Sequence, residues 1–410
     1  MWLGKYLSQG KYILIYNIFE RVTFLAFYLS IARYVEKEIY GLIVTIFSFT
    51  NILLAFFDFG FPSYLQREAA TKFADAKKSI YRMLQTKMII FFIVLIISSI
   101  YFLHFTNDLV SVFLISFVNV LYTIVILFIF YLNGLNRFKE STISVFLTRI
   151  PLFIVLVIFT LIKMNYKVSL FFLSLTFIIQ LIIVVRFSSF QFNLKNFFNF
   201  QPKEIISLIK YTIPFGIGSI FVMAYDRIDV LILQLLRSTT EVAIYSVAYS
   251  IYRNSSIISG IILMQVYNNY SIKFIKDKCF DKISILKDGS LLFILSVVLI
   301  FIYFIFGYAI ITFLFGKNFY DSSKVLYYLS FALPFLFLNN FTGVLLNSSR
   351  NEKLTMTTTF IGFVINVSIN LILIPRLGIM GAVISTILTE FFVFIIQAFM
   401  LTRLAYYRML

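Results

Sequence analysis

Nine ionisable side chains lie inside runs of sequence that are otherwise apolar: Arg21, Arg149, Arg227, Arg253, Glu20, Asp58, Asp226, Asp229 and Glu390. A charge at the centre of a bilayer costs roughly 3 kcal/mol even on lenient insertion scales. Each must therefore pair, line a wet cavity or reach an interface. The densest group is in FVMAYDRIDVLILQ (221–234). Asp226 and Asp229 are three apart and share a helical face that Arg227 does not fully join. That face either lines a cavity or closes an ion pair with another helix. Glu20 and Arg21 are adjacent and point about 100° apart, so each needs its own partner. Arg149 stands about six residues from a helix end, roughly 9 Å at 1.5 Å per residue, and can either snorkel or turn inward. Arg253 and Glu390 fall near mid-helix without that escape, which points to a cavity. Asp58, at a helix end, reads as structural.

The same helices carry hydroxyl, ring and amide groups compatible with a sugar: Asn17, Tyr225, Gln234, Tyr245, Tyr249, Tyr252, Asn254, Asn340, Asn366, Asn370 and Gln397. Asn366 and Asn370 are one turn apart. Such residues equally glue helices together, at about 0.6 kcal/mol per bond. Bond-making machinery is not visible. There is no GxxxxGK[ST] loop, HExxH or GxSxG, and Cys279 and His104 are the only cysteine and histidine. No intrachain disulfide, Cys-based metal site or metal cofactor is expected. Asn254-Ser-Ser and Asn347-Ser-Ser match glycosylation acceptors by chance, one in a span and one on the inner side.

The elements that must position these residues are membrane helices. The chain is 61% hydrophobic and 13% charged, with a mean hydropathy of +0.95; soluble domains run nearer a quarter charged. About twelve stretches reach the roughly 20 apolar residues a span needs: 11–32, 40–58, 86–106, 109–132, 143–162, 168–185, 208–236, 240–264, 289–313, 323–346, 354–374 and 379–402. The first runs past Glu20 and Arg21 without a cleavage site, so it reads as a span and not a signal peptide. Pro151, Pro214 and Pro334 interrupt the fifth, seventh and tenth, as helices facing protein or a wet cavity tolerate. Lys and Arg in the connections divide 23 to 8 between alternate sides. That bias places both termini in the cytoplasm. The net charge of +17 fits loops at an anionic leaflet and not a nucleic-acid partner.

Three pairs of stretches recur six spans apart. LNGLNRFKE (132–140) matches LNSSRNEK (346–353), EIYGLIVT (38–45) matches EVAIYSVA (241–248), and the basic stretches 62–87 and 265–288 correspond. They predict two parallel six-helix lobes: residues 1–186, a cytoplasmic linker at 187–207, and residues 208–410.

Four further features form a set: Asp58-Phe59-Gly60 before a basic loop; Asp226-Arg227 with EVAIY (241–245); FGKNF (315–319); and Asn370 with LIPRLGIMGA (373–382). In order and spacing they resemble the polysaccharide transporter branch of the multidrug/oligosaccharidyl-lipid/polysaccharide (MOP) exporter superfamily, most closely O-antigen flippases of the Wzx type. Ala243 departs from the family's usual glycine. The resemblance implies an all-α, MATE-like fold of two lobes around a central cavity, alternating between inward- and outward-open states. It implies a non-enzymatic transporter in a bacterial inner membrane. The substrate would be an oligosaccharide on undecaprenyl pyrophosphate, for lipopolysaccharide O-antigen biosynthesis. Arg21, Arg149, Arg227 and Arg253 would bind the pyrophosphate or sugar acids through charge-assisted hydrogen bonds. Asn17, Tyr249, Asn366 and Asn370 would meet the sugar. Glu20, Asp226, Asp229 and Glu390 would be counter-ions or carry H+ or Na+ coupling. An O-antigen polymerase and a chain-length regulator would be partners. The rivals are a multidrug exporter of the same superfamily, for which a more acidic cavity is expected, and a membrane-embedded polysaccharide polymerase.

Overall fold

The computed structural model describes residues 2–71, 73–275 and 281–409. Every regular element among them is a helix. In chain order these are α1 (Trp2–Ala32), α2 (Lys37–Phe57), α3 (Phe61–Thr71), α4 (Phe73–Phe102), α5 (Leu109–Gly134), α6 (Phe138–Ile162), α7 (Tyr166–Phe187) and α8 (Leu194–Phe198). There follow α9 (Pro202–Leu236), α10 (Thr239–Asn254), α11 (Ser256–Ile275), α12 (Lys282–Phe315), α13 (Ser322–Ser330), α14 (Leu333–Ser348), α15 (Glu352–Leu377) and α16 (Ile379–Met409). Lys72, Lys276, Lys278 and Cys279 lie outside the described residues.

Nine described helices are long and apolar enough to cross a membrane, or eleven when the bent pairs at Pro214 and at 331–332 each count as one. The protein is a multi-pass membrane protein. Its long helices are rich in apolar side chains turned outward, such as Phe301, Phe304, Ile305 and Phe313 of α12, as lipid-facing helices require. The expected eighth span is the exception. It breaks into α10 and α11 at Ser255, where Asn254 Nδ2 donates to the Ser250 carbonyl (2.7 Å) and Ser255 Oγ to that of Ile251 (2.9 Å). Side chains that compete for helix carbonyls in this way weaken the ladder. Pro151, by contrast, leaves α6 continuous.

The basic stretch 62–87 is also helical. In α3, Phe61, Leu65 and Ala69 fall on one buried face against α5, while Arg67 and Glu68 point away, an i, i+4, i+8 pattern. α5 is the central helix of its unit, with Val112, Ile115, Leu127 and Ile129 fully buried among α3, α4 and α7.

The contacts divide the chain into two compact units, Met1–Val35 with Ile43–Met223, and Glu36–Leu42 with Ala224–Leu410. The start of α2 belongs to the second unit for local reasons. The Gly41 backbone lies against the Thr239 carbonyl, closer than a Cβ would allow. Lys37 bonds Asp321 (3.0 Å), and the Tyr40 ring meets Phe319 at 5.1 Å.

The α5–α6 and α14–α15 turns are built from the same parts. Arg137 N–H donates to the Leu132 carbonyl (2.9 Å) as Asn351 N–H does to that of Leu346 (3.0 Å). Asn136 and Arg350 are left-handed, with φ of 58° and 61°. The Asn133 side chain accepts from Ser141 (3.0 Å) as Asn347 does from Thr355 (2.8 Å). All five positions recur at one offset along the chain.

Candidate functional site

In the first unit, α1, α6 and α7 assemble a buried ion-pair cluster. Arg149 has no exposure and Glu20 is 7% exposed. Arg149 Nη2 donates to Glu20 Oε1 (3.1 Å) and to Gln180 Oε1 (2.6 Å). The guanidinium also stands 4.5 Å over the Phe177 ring, a cation–π contact strengthened by exclusion of water. Arg149 therefore turns inward, to these three partners. Arg21, the next residue round α1 from Glu20, is exposed, as its 100° offset requires.

Beside this cluster is a cavity of about 400 Å³ lined by Tyr16, Asn17, Glu20, Arg21, Asp58 and Tyr122, among others. Asp58 is the ion-pair partner of Lys87, which is 2% exposed. Lys87, the last residue of the basic stretch 62–87, is thus an interior residue of α4 and not part of a solvated loop. Tyr122 of the cavity wall packs in a ring cluster with Phe24 and Phe177, with centroids 5.4 to 6.0 Å apart.

In the second unit the acidic residues of α9 face α10. Asp226 Oδ1 pairs with Arg253 Nη2 at 2.8 Å, and both side chains keep partial exposure, 22% and 32%. Asp229 is 2% exposed and, among the described residues, forms no ion pair. It accepts the Tyr245 hydroxyl and the Val230 N–H (2.8 Å). Of the two alternatives for this face, Asp226 takes the ion pair, whereas Asp229 takes a third course, a buried contact with a hydroxyl. Arg253 sits in the last turn of α10 and not at mid-helix, because the span breaks at Ser255. Arg227 is half-buried and outside both contacts.

Tyr245, Tyr249 and Tyr252 form a ladder along α10, with centroids 5.5 and 5.6 Å apart. At its end Tyr252 donates to Glu390 Oε1 (3.4 Å), and Asn339 Nδ2 to Glu390 Oε2 (2.6 Å). Asn366 and Asn370 do not join this group. Asn370 Nδ2 donates to Asn366 Oδ1 within α15 (2.9 Å), and Ser385 Oγ of α16 donates to the Asn366 carbonyl (3.2 Å), so in this structure Asn366 fastens α15 to α16 and Asn370 braces Asn366. Gln180, Asn339, Tyr122 and Lys87 were not singled out from sequence. A buried amide in a span, as at Gln180 and Asn339, is the signal that could have found two of them. Among the described residues, no three His, Cys, Asp or Glu side chains are placed to hold a metal.

A family model described as polysaccharide biosynthesis protein matches residues 7–267, more than half of the chain. The chain belongs to the polysaccharide biosynthesis protein family. This family member shares 31% identity over 99 residues with an uncharacterised membrane protein of Methanocaldococcus jannaschii, covering 24% of this chain and only 20% of that protein. Its fold is that of solved MOP-superfamily transporters. A multidrug resistance MATE family transporter in an inward-facing conformation aligns with 95% of each chain, at a TM-score of 0.73 and 14% identity. The lipid II flippase MurJ, inward closed, covers 95% of this chain and 87% of its own, at 0.71 and 15%. A MOP superfamily transporter from Pyrococcus furiosus, whose structure is described as having a binding pocket of reversed polarity, covers 98% and 96%, at 0.65 and 13%.

Proposed function

We propose that this protein is a non-enzymatic flippase for an oligosaccharide on undecaprenyl pyrophosphate, of the O-antigen repeat-unit class. It would carry its substrate from the cytoplasmic to the periplasmic leaflet of a bacterial inner membrane by alternating access. The observation that carries the reading is the cavity of about 400 Å³, where Arg21 stands beside Asn17, Tyr16 and Tyr122. A guanidinium suits a pyrophosphate through paired charge-assisted hydrogen bonds, and amide and phenol groups suit sugar hydroxyls. Membership of a polysaccharide biosynthesis family supports a glycan cargo. The resemblance of the fold to both a lipid II flippase and a multidrug transporter leaves cargo class to these residues.

On this reading Arg21 in the first unit, and the partly exposed Arg253 with Arg227 in the second, are the residues that bind phosphate. Arg149, wholly enclosed, holds Glu20 and the cavity wall in place. Glu20, Asp226, Asp229 and Glu390 balance the charge, and exchange of H+ or Na+ at one of them couples transport to a gradient. Tyr249 offers an aromatic face. An O-antigen polymerase and a chain-length regulator would receive the product.

The test is replacement of Arg21 or Arg253 by Gln in the producing cell. Surface polysaccharide is expected to fall, with lipid-linked repeat units accumulating inside, at normal protein levels. Normal polysaccharide in both variants would sink the assignment, and drug sensitivity without a glycan defect would favour a multidrug exporter.

A further inference from the structure

The segment between α7 and α9 is fastened to α4. The Tyr81 hydroxyl donates to the Gln191 carbonyl (2.8 Å) and accepts from the Asn193 N–H (3.0 Å). Gln85 Nε2 donates to the Phe197 carbonyl (2.5 Å), and Arg82 donates to the Asn199 carbonyl and to Glu204 (2.9 Å). This strap borders two adjoining hollows. The first, of about 490 Å³, is rimmed among the described residues by Lys77, Lys78 and Arg82 and by the Glu204 carboxylate, which pairs with both Lys78 (3.1 Å) and Arg82. The second, of about 420 Å³, lies between α4, α5 and α7 beneath Phe190, Phe192 and Phe197. Its walls are apolar save for Lys87. Phe190 lines both.

We propose that the two hollows are one binding site for an anionic glycerophospholipid. Its headgroup phosphate would lie at Lys77 and Lys78, and an acyl chain would enter the groove under Phe190. Charge complementarity fixes the head, since among the described residues three cations share one carboxylate. Clustered Lys and Arg at a membrane surface select anionic lipid. The apolar groove fixes the tail, because a soluble phosphate has nothing to place there. The strap itself belongs at a membrane surface. Phe192, Leu194, Phe198 and Phe200 are 50 to 72% exposed on it, between amide side chains, as in segments that lie at the headgroup boundary. A lipid held here ties the strap to α4, α5 and α7. The site is separate from the cavity at Glu20 and does not depend on the transported cargo.

The test is a titration of the purified full chain, in uncharged detergent, with phosphatidylglycerol, phosphatidylcholine and glycerol 3-phosphate, reading the heat-denaturation midpoint. Phosphatidylglycerol should raise the midpoint saturably, and the other two should not. Lys77→Gln and Lys78→Gln should each raise the half-saturating concentration about fivefold, the value of one basic residue at an anionic surface. The paired Lys→Arg variant should titrate as the parent does, and so should Lys353→Gln, a lysine of the other unit. Equal response to phosphatidylcholine, an unchanged titration in the Lys77→Gln/Lys78→Gln pair, or equal stabilisation by glycerol 3-phosphate would each overturn the proposal.

Discussion

Replacing Glu20 by Gln should destabilise the protein more than any other single loss of charge in its first unit. Arg149 has no exposure, and its guanidinium contacts Glu20 at 3.1 Å, Gln180 at 2.6 Å and the Phe177 face at 4.5 Å. Glu20 supplies the only negative charge among these contacts. Removing it leaves an enclosed cation with neutral acceptors, at a cost of roughly 3–5 kcal/mol. At about 2–4 °C per kcal/mol for a unit of this size, the thermal midpoint should fall by roughly 6–20 °C. Arg149→Met should cost less, because a carboxyl left alone can take up a proton whereas a guanidinium cannot lose one. The double variant should lose far less than the sum of the singles, with a coupling of at least about 2 kcal/mol. Midpoints by size-exclusion after heating, for the parent, both singles and the double, give the cycle. Additivity within about 0.5 kcal/mol would refute the reasoning. It would mean that the two groups are hydrated in the folded protein and do not depend on each other.

Other outcomes follow from particular contacts. A Cβ at Gly216 would fall 2.6 Å from the Gly60 nitrogen and 2.7 Å from the Phe59 carbonyl carbon, so Gly216→Ala should cost about 1–3 kcal/mol in thermal unfolding. Gly260, inside α11 with nothing within 4 Å of its Cβ position, should behave oppositely and gain about 0.5–1 kcal/mol as Ala. Tyr245→Phe removes the hydroxyl that Asp229 accepts and should cost about 1.5–3 kcal/mol by the same measurement. Asp108 caps α5. Burial alone would raise its pKa, but hydrogen bonds from Tyr166, Ser111 and Lys167 outweigh it and hold the group at about 2. Since this pKa lies below that of the unfolded chain, the cap's contribution is complete above about pH 4 and lost as pH falls toward 2. Asp108→Asn should flatten the stability profile over that interval.

Much of the fold was legible because lipid leaves few choices: a run of apolar residues must be a helix, and its ends follow from Gly, Pro and charge. LIPRLGIMGA illustrates this. Gly378, with φ of 57°, closes α15 and Gly381 packs on the Leu373 backbone, so the motif is one tight turn between helices. The match of 132–140 with 346–353 also reappears as the same hydrogen bonds in both turns. Hydropathy could not show the break at Ser255 or the helicity of α3. The first depends on side chains bonding their own backbone, and the second on a face narrower than a span. Partners were harder still. Periodicity says which residues share a face, as Asp226 and Asp229 do, but not which helix stands opposite. That Arg149 would meet Gln180, Glu390 Asn339, and Lys87 Asp58 follows only from the way the helices assemble.

The account is tested most directly by reconstituting the purified protein in liposomes with a labelled oligosaccharide on undecaprenyl pyrophosphate, and following the glycan's arrival at the opposite leaflet. The parent protein should translocate it far faster than protein-free liposomes. Arg253→Gln and Arg21→Gln should slow the rate about 10- to 100-fold, the loss of a charge-assisted contact of about 1.5–3 kcal/mol. A lipid-linked glycan that crosses no faster with the protein than without it, under any imposed H+ or Na+ gradient, would contradict the account.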